Sequence, residues 1–220
     1  MPGGVPIHID DVPSSRWDFG EVAAARRRLG VASGARRLGI ALIEIDPDHR
    51  STPPHSHADE DELFLVLEGG GLSYQTSGPD DVRTYAIGVD DVLWHPANGD
   101  AHTLFAGEVG LTVLVVAEGS RTSITYLPRT GQFWLGPVWS PADSAHPFVA
   151  DPELGPLDLP EPIRERPPTV RNLTQLPVRE GREGRVAYAT RDARDMGSDK
   201  LVPRSGRSVR LATSRSPTEP

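Results

Sequence analysis

Between Leu38 and Leu127 the chain is a string of short apolar segments, each stopped by turn residues, and this spacing restricts the fold more than any other feature. Leu38-Gly39-Ile40-Ala41-Leu42-Ile43-Glu44-Ile45 carries the β-branched side chains that fit a pleated surface, and Asp46-Pro47-Asp48 follows as a turn. Leu63 to Leu67 is continuously apolar, as in a strand covered on both faces, and Gly69-Gly70-Gly71 after it reads as a tight turn. Leu72 to Gln75 and Val82 to Ile87 alternate on either side of Ser77-Gly78-Pro79-Asp80-Asp81, the pattern of a hairpin. Val92-Leu93-Trp94 stops at Pro96; His102 to Ala106, Leu111 to Ala117 and Thr122 to Leu127 bring the set to about eight short strands. No convincing helix interrupts them. The expected class is all-β, an antiparallel sandwich or barrel, whose mouth is a usual place for a small-ligand or metal site.

The 220 residues suffice for one good core. With no cysteine, disulfides, Cys-ligated zinc, iron–sulfur clusters and thiol nucleophiles are excluded. The start, Met1-Pro2-Gly3-Gly4-Val5-Pro6, has neither the basic nor the apolar region of a signal peptide, and no apolar run reaches the length of a membrane span. The expectation is a cytoplasmic protein without a membrane partner. Residues 1–160 hold 10 Lys+Arg against 23 Asp+Glu, and residues 161–220 hold 13 against 8. The acidic body argues against nucleic acid as a partner. One lysine against 22 arginines, with abundant Ala, Gly and Pro, resembles the codon bias of a GC-rich bacterial genome.

Chemistry concentrates in Pro53-Pro54-His55-Ser56-His57-Ala58-Asp59-Glu60-Asp61-Glu62. Residues two apart on a strand point the same way, so His55 and His57 can aim at one point. Glu62 joins them if the chain turns through the acidic residues between, and Phe64 and Val66 then share its face. Two imidazoles and a carboxylate suit Zn, Fe, Mn, Ni or Co without choosing among them. A fourth ligand has to come from another strand, and His102 offers it after the Pro/Gly loop that begins at Pro96. His95 reads first as a surface or loop-packing histidine and second as a contact to the ligands or substrate, Asp59 to Asp61 as a solvated turn that can also raise the local cation concentration, and Tyr74, Tyr85 and Trp94 as core aromatics or cavity lining.

At these residues the chain resembles the cupin superfamily, whose members are built on a small double-stranded β-helix. His55, His57, Glu62 and Gly69 match the first cupin motif, H-x-H-x4-E-x6-G, and His102 matches the histidine of the second. The resemblance covers roughly residues 38–120. It implies one divalent metal ion (Fe, Mn, Zn or Ni) held inside the barrel by His55, His57, Glu62 and His102. Three positions depart from the pattern. His49 and Asp90 stand where the motifs usually have glycine, and Pro96 to Gly99 is one residue longer than the usual P-x-G. Aspartate tolerates left-handed turn geometry, so Asp90 is expected to do the glycine's work.

Around the barrel of residues 38–127 the sequence predicts an N-terminal arm over 1–37, with Ala-rich helical character from Val22 to Leu29. It also predicts an aromatic and Pro-rich arm and linker over 128–169, and an irregular C-terminal extension over 170–220. The two tryptophans Trp134 and Trp139 are expected to pack on the barrel or on a partner subunit, and His146 to be structural. Val170 to Pro177 resembles Pro6 to Pro13, which suggests the entry segment of a second, truncated barrel over 170–201, with a disordered tail from Val202. The face such a barrel once covered is then expected to support a homodimer.

The resemblance implies two classes of function. One is a metalloenzyme on a small molecule: a dioxygenase with Fe, or an isomerase or decarboxylase of small oxygenated acids with Mn, Ni or Zn. The other is a non-catalytic module that binds a small molecule or metal. No catalytic residue beyond the metal ligands is singled out by the sequence.

Overall fold

The computed structural model describes residues 6–119, 123–135, 138–141, 144–167 and 169–175, and the backbone of 178–181 and 184–187. The main sheet begins with β1 (Ser14–Phe19), β2 (Val22–Arg27) and β3 (Leu38–Ile45). β4 (Ser56–His57) carries one of the paired histidines. β5 (Glu62–Gly78), β6 (Asp81–Gly88), β7 (Asp91–His95) and β8 (Ala101–Glu118) follow. The order across the main sheet is β1-β2-β3-β8-β5-β7, with β6 beside β5 and β12 (Val170–Asn172) closing the far edge against β7. A second sheet runs β11 (Trp139–Ser140), β10 (Gln132–Trp134), β9 (Thr125–Leu127), β4. All registered pairs are antiparallel. β13 (Val178–Gly181) and β14 (Gly184–Ala187) form a separate hairpin.

Two expectations change here. Val22–Arg27 is a strand, not a helix, and the stretch expected as an arm supplies two strands of the main sheet. The Ala/Arg-rich text favours helix by propensity, but pairing on both sides, Ala24 with Trp17 and Ile45, buries Ala24 completely and overrides it. The only helix nearby is the single turn α1 (Leu29–Ala32). Gly69-Gly70-Gly71 is not a turn either. β5 runs straight through it, with register shifts between Val66 and Glu68 and between Gly69 and Gly71. Gly69 takes φ +74°, and a Cβ on Gly71 would lie 1.9 Å from the Phe105 carbonyl oxygen. The glycines therefore bend two long strands together, which wraps the sheet into a barrel. What reads as two strands, His102 to Ala106 and Leu111 to Ala117, is one bent strand, β8.

Other expectations hold. Leu72 to Gln75 pairs with Val82 to Ile87 as a hairpin. Asp90 has φ +69°, the left-handed conformation its position requires. Phe64, Val66, Leu93, Leu104 and Val113 form the centre of the buried core, joined by Tyr85 and Val170. After the second sheet, α2 (Pro147–Glu153) packs on β1, and Phe148 meets Trp17 and Phe19 edge-on at 6.0 and 6.3 Å. The segment expected as a linker is tied to the barrel: the Thr84 hydroxyl donates to the Pro160 carbonyl, and Arg166 donates to Asp91 at 2.5 Å. Val170–Asn172, expected as the entry to a second barrel, is an edge strand of this one. Most of 176–201, and the tail from Val202, lie outside the described residues. No helix among the described residues is long and apolar enough to cross a membrane.

Candidate metal centre

His55 sits opposite His102, each backbone N–H donating to the other's carbonyl at 3.1 and 2.8 Å. His57 is held on β4 against Thr125 of β9, and Glu62 opens β5 between Ala117 of β8 and His95 of β7. Pairing thus brings residues from three strands and a loop to one point inside the barrel. His55, His57 and Glu62 each offer one ligand atom within 4.8 Å of the others, a group able to hold a metal ion. The His102 ring lies 4.8 Å from that of His55, and its Nε2 is 3.1 Å from Glu62 Oε2. His57 Nε2 is 3.3 Å from the same oxygen, is buried, and makes no hydrogen bond.

Each ring is anchored through its other nitrogen. His55 Nδ1 donates to the Pro53 carbonyl at 3.0 Å, His102 Nδ1 faces the Asp100 carbonyl at 3.4 Å, and His57 Nδ1 faces the Thr125 hydroxyl at 3.2 Å. A carbonyl only accepts, so it favours the proton on Nδ1 of His55 and His102, the tautomer whose Nε2 can ligate a cation; the Thr125 hydroxyl can donate or accept and does not fix the tautomer of His57. Glu62 adds a carboxylate. Burial works against its charge, but the neighbouring His102 and His57 hold it well below the usual carboxylate range. Burial, reinforced by His102 and His57, pushes His55 down to about 3, so its imidazole is neutral. Burial alone lowers His57, and the adjacent Glu62, Glu60 and Asp59 more than reverse it. The centre is thus an excess of electron-pair donors that a proton or a divalent cation has to bridge. A buried His57 Nε2 without a hydrogen bond is the atom that a cation would satisfy.

Above the centre lies a cavity of about 530 Å³. Phe64, Val115 and Leu127 wall it, and Trp17, Trp134 and Phe148 stand among its rim residues. The aromatic arm therefore packs on the barrel, as expected of Trp134 and Trp139. His146, expected to be structural, is both: its Nδ1 accepts from Phe148 N at the start of α2, and its ring borders the cavity.

For His95 the second of the two sequence readings is the one the fold supports. It is buried, its ring stacks on His102 at 3.8 Å with 8° between planes, and its Nε2 has no partner. Burial holds it neutral, well below the ordinary histidine range. Only the register that sets His95 opposite Glu62 reveals this, and no local pattern carries that information. Asp61 is likewise no mere solvated turn: it accepts from Ala97 N and Trp94 Nε1, which clamps the loop preceding the strand of His102.

No known protein-family profile matches the chain, and no curated protein matches it. Solved structures do. A protein from Acidithiobacillus ferrooxidans, proposed to be a sugar phosphate isomerase, matches at 24% identity over 63% of this chain and 91% of its own, with a TM-score of 0.52. The fold is that of the cupin superfamily. A sugar phosphate isomerase from that superfamily, of Silicibacter pomeroyi, matches at 21% identity over 59% of this chain and 85% of its own, with a TM-score of 0.49. A proposed oxalate decarboxylase of Thermotoga maritima matches at 17% identity over 52% and 98%, with a TM-score of 0.43. At these identities the cupin likeness establishes the barrel. The chemistry has to come from the site itself.

Proposed function

We propose that this cupin holds one divalent metal ion through His55, His57, Glu62 and His102 and acts on a small molecule bound in the cavity above it. The observation that supports the reading is the gathering of three imidazoles around one buried carboxylate: His57 and His102 bring Nε2 to 3.3 and 3.1 Å from Glu62 Oε2, His55 offers a ligand atom within 4.8 Å of those of His57 and Glu62, and every Nδ1 faces another group. Such a centre, when loaded, supplies Lewis-acid polarisation of a ligand oxygen and keeps coordination positions open.

The chain's own residues do the rest. Thr125, Pro53 and Asp100 orient the imidazoles; Phe64, Val115 and Leu127 keep the ligand side dry. His95 supports the His102 ring from behind. Isomerisation or decarboxylation of a small oxygenated acid fits a site in which the metal performs the polarisation and Glu62 is the only carboxylate lining the cavity among the described residues. Elemental analysis of anaerobically purified protein, beside His55→Ala and His102→Ala, tests the ligand set. One metal per chain in the parent and a large loss in both variants is expected; equal content in all three refutes the assignment.

A further inference from the structure

Strand β2 alternates between two environments for arginine. On the outer face Arg27 reaches Glu44 at 3.7 Å and donates to the Val12 carbonyl, and Arg16 of β1 pairs with Asp46. On the inner face Arg26 lines the cavity instead, joined by Arg28, the exposed residue that follows β2. The Arg26 guanidinium lies over the Trp17 ring, 5.7 Å from its centroid, and its buried Nε has no hydrogen-bond partner. No carboxylate is paired with either residue among the described residues. Burial first, and the like charge of Arg28 second, lower the Arg26 pKa, and nothing nearby acts in the opposite direction. In a body where acids outnumber bases by 23 to 10, the cavity is lined by two guanidiniums and one carboxylate, and that carboxylate belongs to the metal centre. A half-buried cation left without an anion is costly unless a ligand supplies one.

Register places the two ends of the cavity. Arg26 lies opposite Ile43, Ile43 opposite Val113, and Val113 opposite Val66. Glu62 is on the same face of β5 as Val66, four residues back, roughly 13 Å along the strand. Ile43, Val115 and Phe64 cover the space between, and aromatic rings border it.

We propose that the cavity takes an organic acid end-on: Arg26, with Arg28 beside it, receives the ligand's oxyanion, an apolar body lies along Ile43, Val115 and Phe64, and an oxygen at the other end reaches the metal centre. The inference rests on the cavity being the ligand site of that centre. It makes Arg26 a specificity-determining residue, since a guanidinium matches the two oxygens of a carboxylate or phosphate and rejects an uncharged isostere.

The test is calorimetric titration of the full chain, zinc-loaded and after EDTA, with 3-phenylpropionate, its neutral amide and phenyl phosphate. The acid is expected to bind about tenfold or more tightly than the amide, the size of a charge-assisted hydrogen bond. Arg26→Gln should abolish that ratio, Arg26→Lys should keep part of it, and Arg27→Gln should leave it unchanged. Phenyl phosphate against the acid shows which oxyanion is preferred. Equal binding of acid and amide by the parent protein overturns the proposal without any variant, as does a ratio that survives in Arg26→Gln. Zinc content measured on the same samples separates the two readings: loss of the metal with an intact acid preference faults the metal centre alone.

Discussion

Two of the buried charge clusters among the described residues are built oppositely. Under α2, the fully buried Arg50 lies 2.5 Å from Asp151 and 3.5 Å from Glu21, while Arg129 donates to Asp151 at 3.1 Å and to the Gly155 carbonyl at 2.7 Å. Two guanidiniums meet two carboxylates, and the cluster is neutral within the chain. In the candidate metal centre three imidazoles surround one carboxylate, and the two guanidiniums that line the same cavity pair with no acid among the described residues. The first cluster is balanced in charge and ties the helix to the barrel, though its Arg50 contacts are ion pairs without hydrogen bonds. The second leaves His57 Nε2 and His95 Nε2 buried without a hydrogen bond, and it opens on a cavity. Burial alone does not mark a functional site; burial with an unmatched balance of donors does.

The contrast can be broken or sharpened by substitution. The largest effect on stability is expected from Asp151→Ala, which strands Arg50 and Arg129: about 3–5 kcal/mol lost in urea unfolding, with zinc content unchanged. A stable Asp151→Ala protein would mean that the cluster is not closed as described. His102→Ala is expected to do the reverse. Zinc affinity should fall by more than about 100-fold, beyond what loss of an outer hydrogen bond causes, while the metal-free protein loses less stability than Asp151→Ala does. Competition with a chromogenic chelator measures it. Thr125→Val removes only the hydroxyl that faces His57 Nδ1, so zinc affinity should fall about tenfold, and an unchanged affinity would show that Glu60 alone orients the ring. The smallest effect is expected for Glu44→Gln, which removes the exposed partner of Arg27: about 1 kcal/mol or less by urea unfolding, because solvent screens the pair. A larger loss would erase the distinction drawn between outer and inner arginines of β2.

Much of the site was legible before the fold. His55, His57 and Glu62 lie within one short stretch, and the two-residue period of a strand is a local property, so their convergence follows from spacing. Asp90 was legible for the same reason, since a left-handed turn is decided by a residue and its neighbours. His95 was not, because its role depends on register between β5 and β7, and neither was Arg26, because its inward direction depends on β2 being a strand at all. The helix expected over Val22 to Leu29 shows the limit of propensity: an Ala/Arg run adopts whichever backbone its partners bury. Gly69 to Gly71 carried a correct signal, backbone freedom, but the long pairing of β5 with β8 turned that freedom into a bend.

Taken alone, the order of residues determined that the chain would make many short antiparallel strands and that histidines and a carboxylate able to ligate a metal would stand close together at the entry to one of them. Both depend on alternation and on side-chain chemistry over a few positions. The tertiary structure decided which imidazole stacks behind which, which arginines lose their acids, and that an aromatic arm and a short helix border the cavity. Those outcomes come from contacts between residues distant in the chain, whose energies no local spacing records.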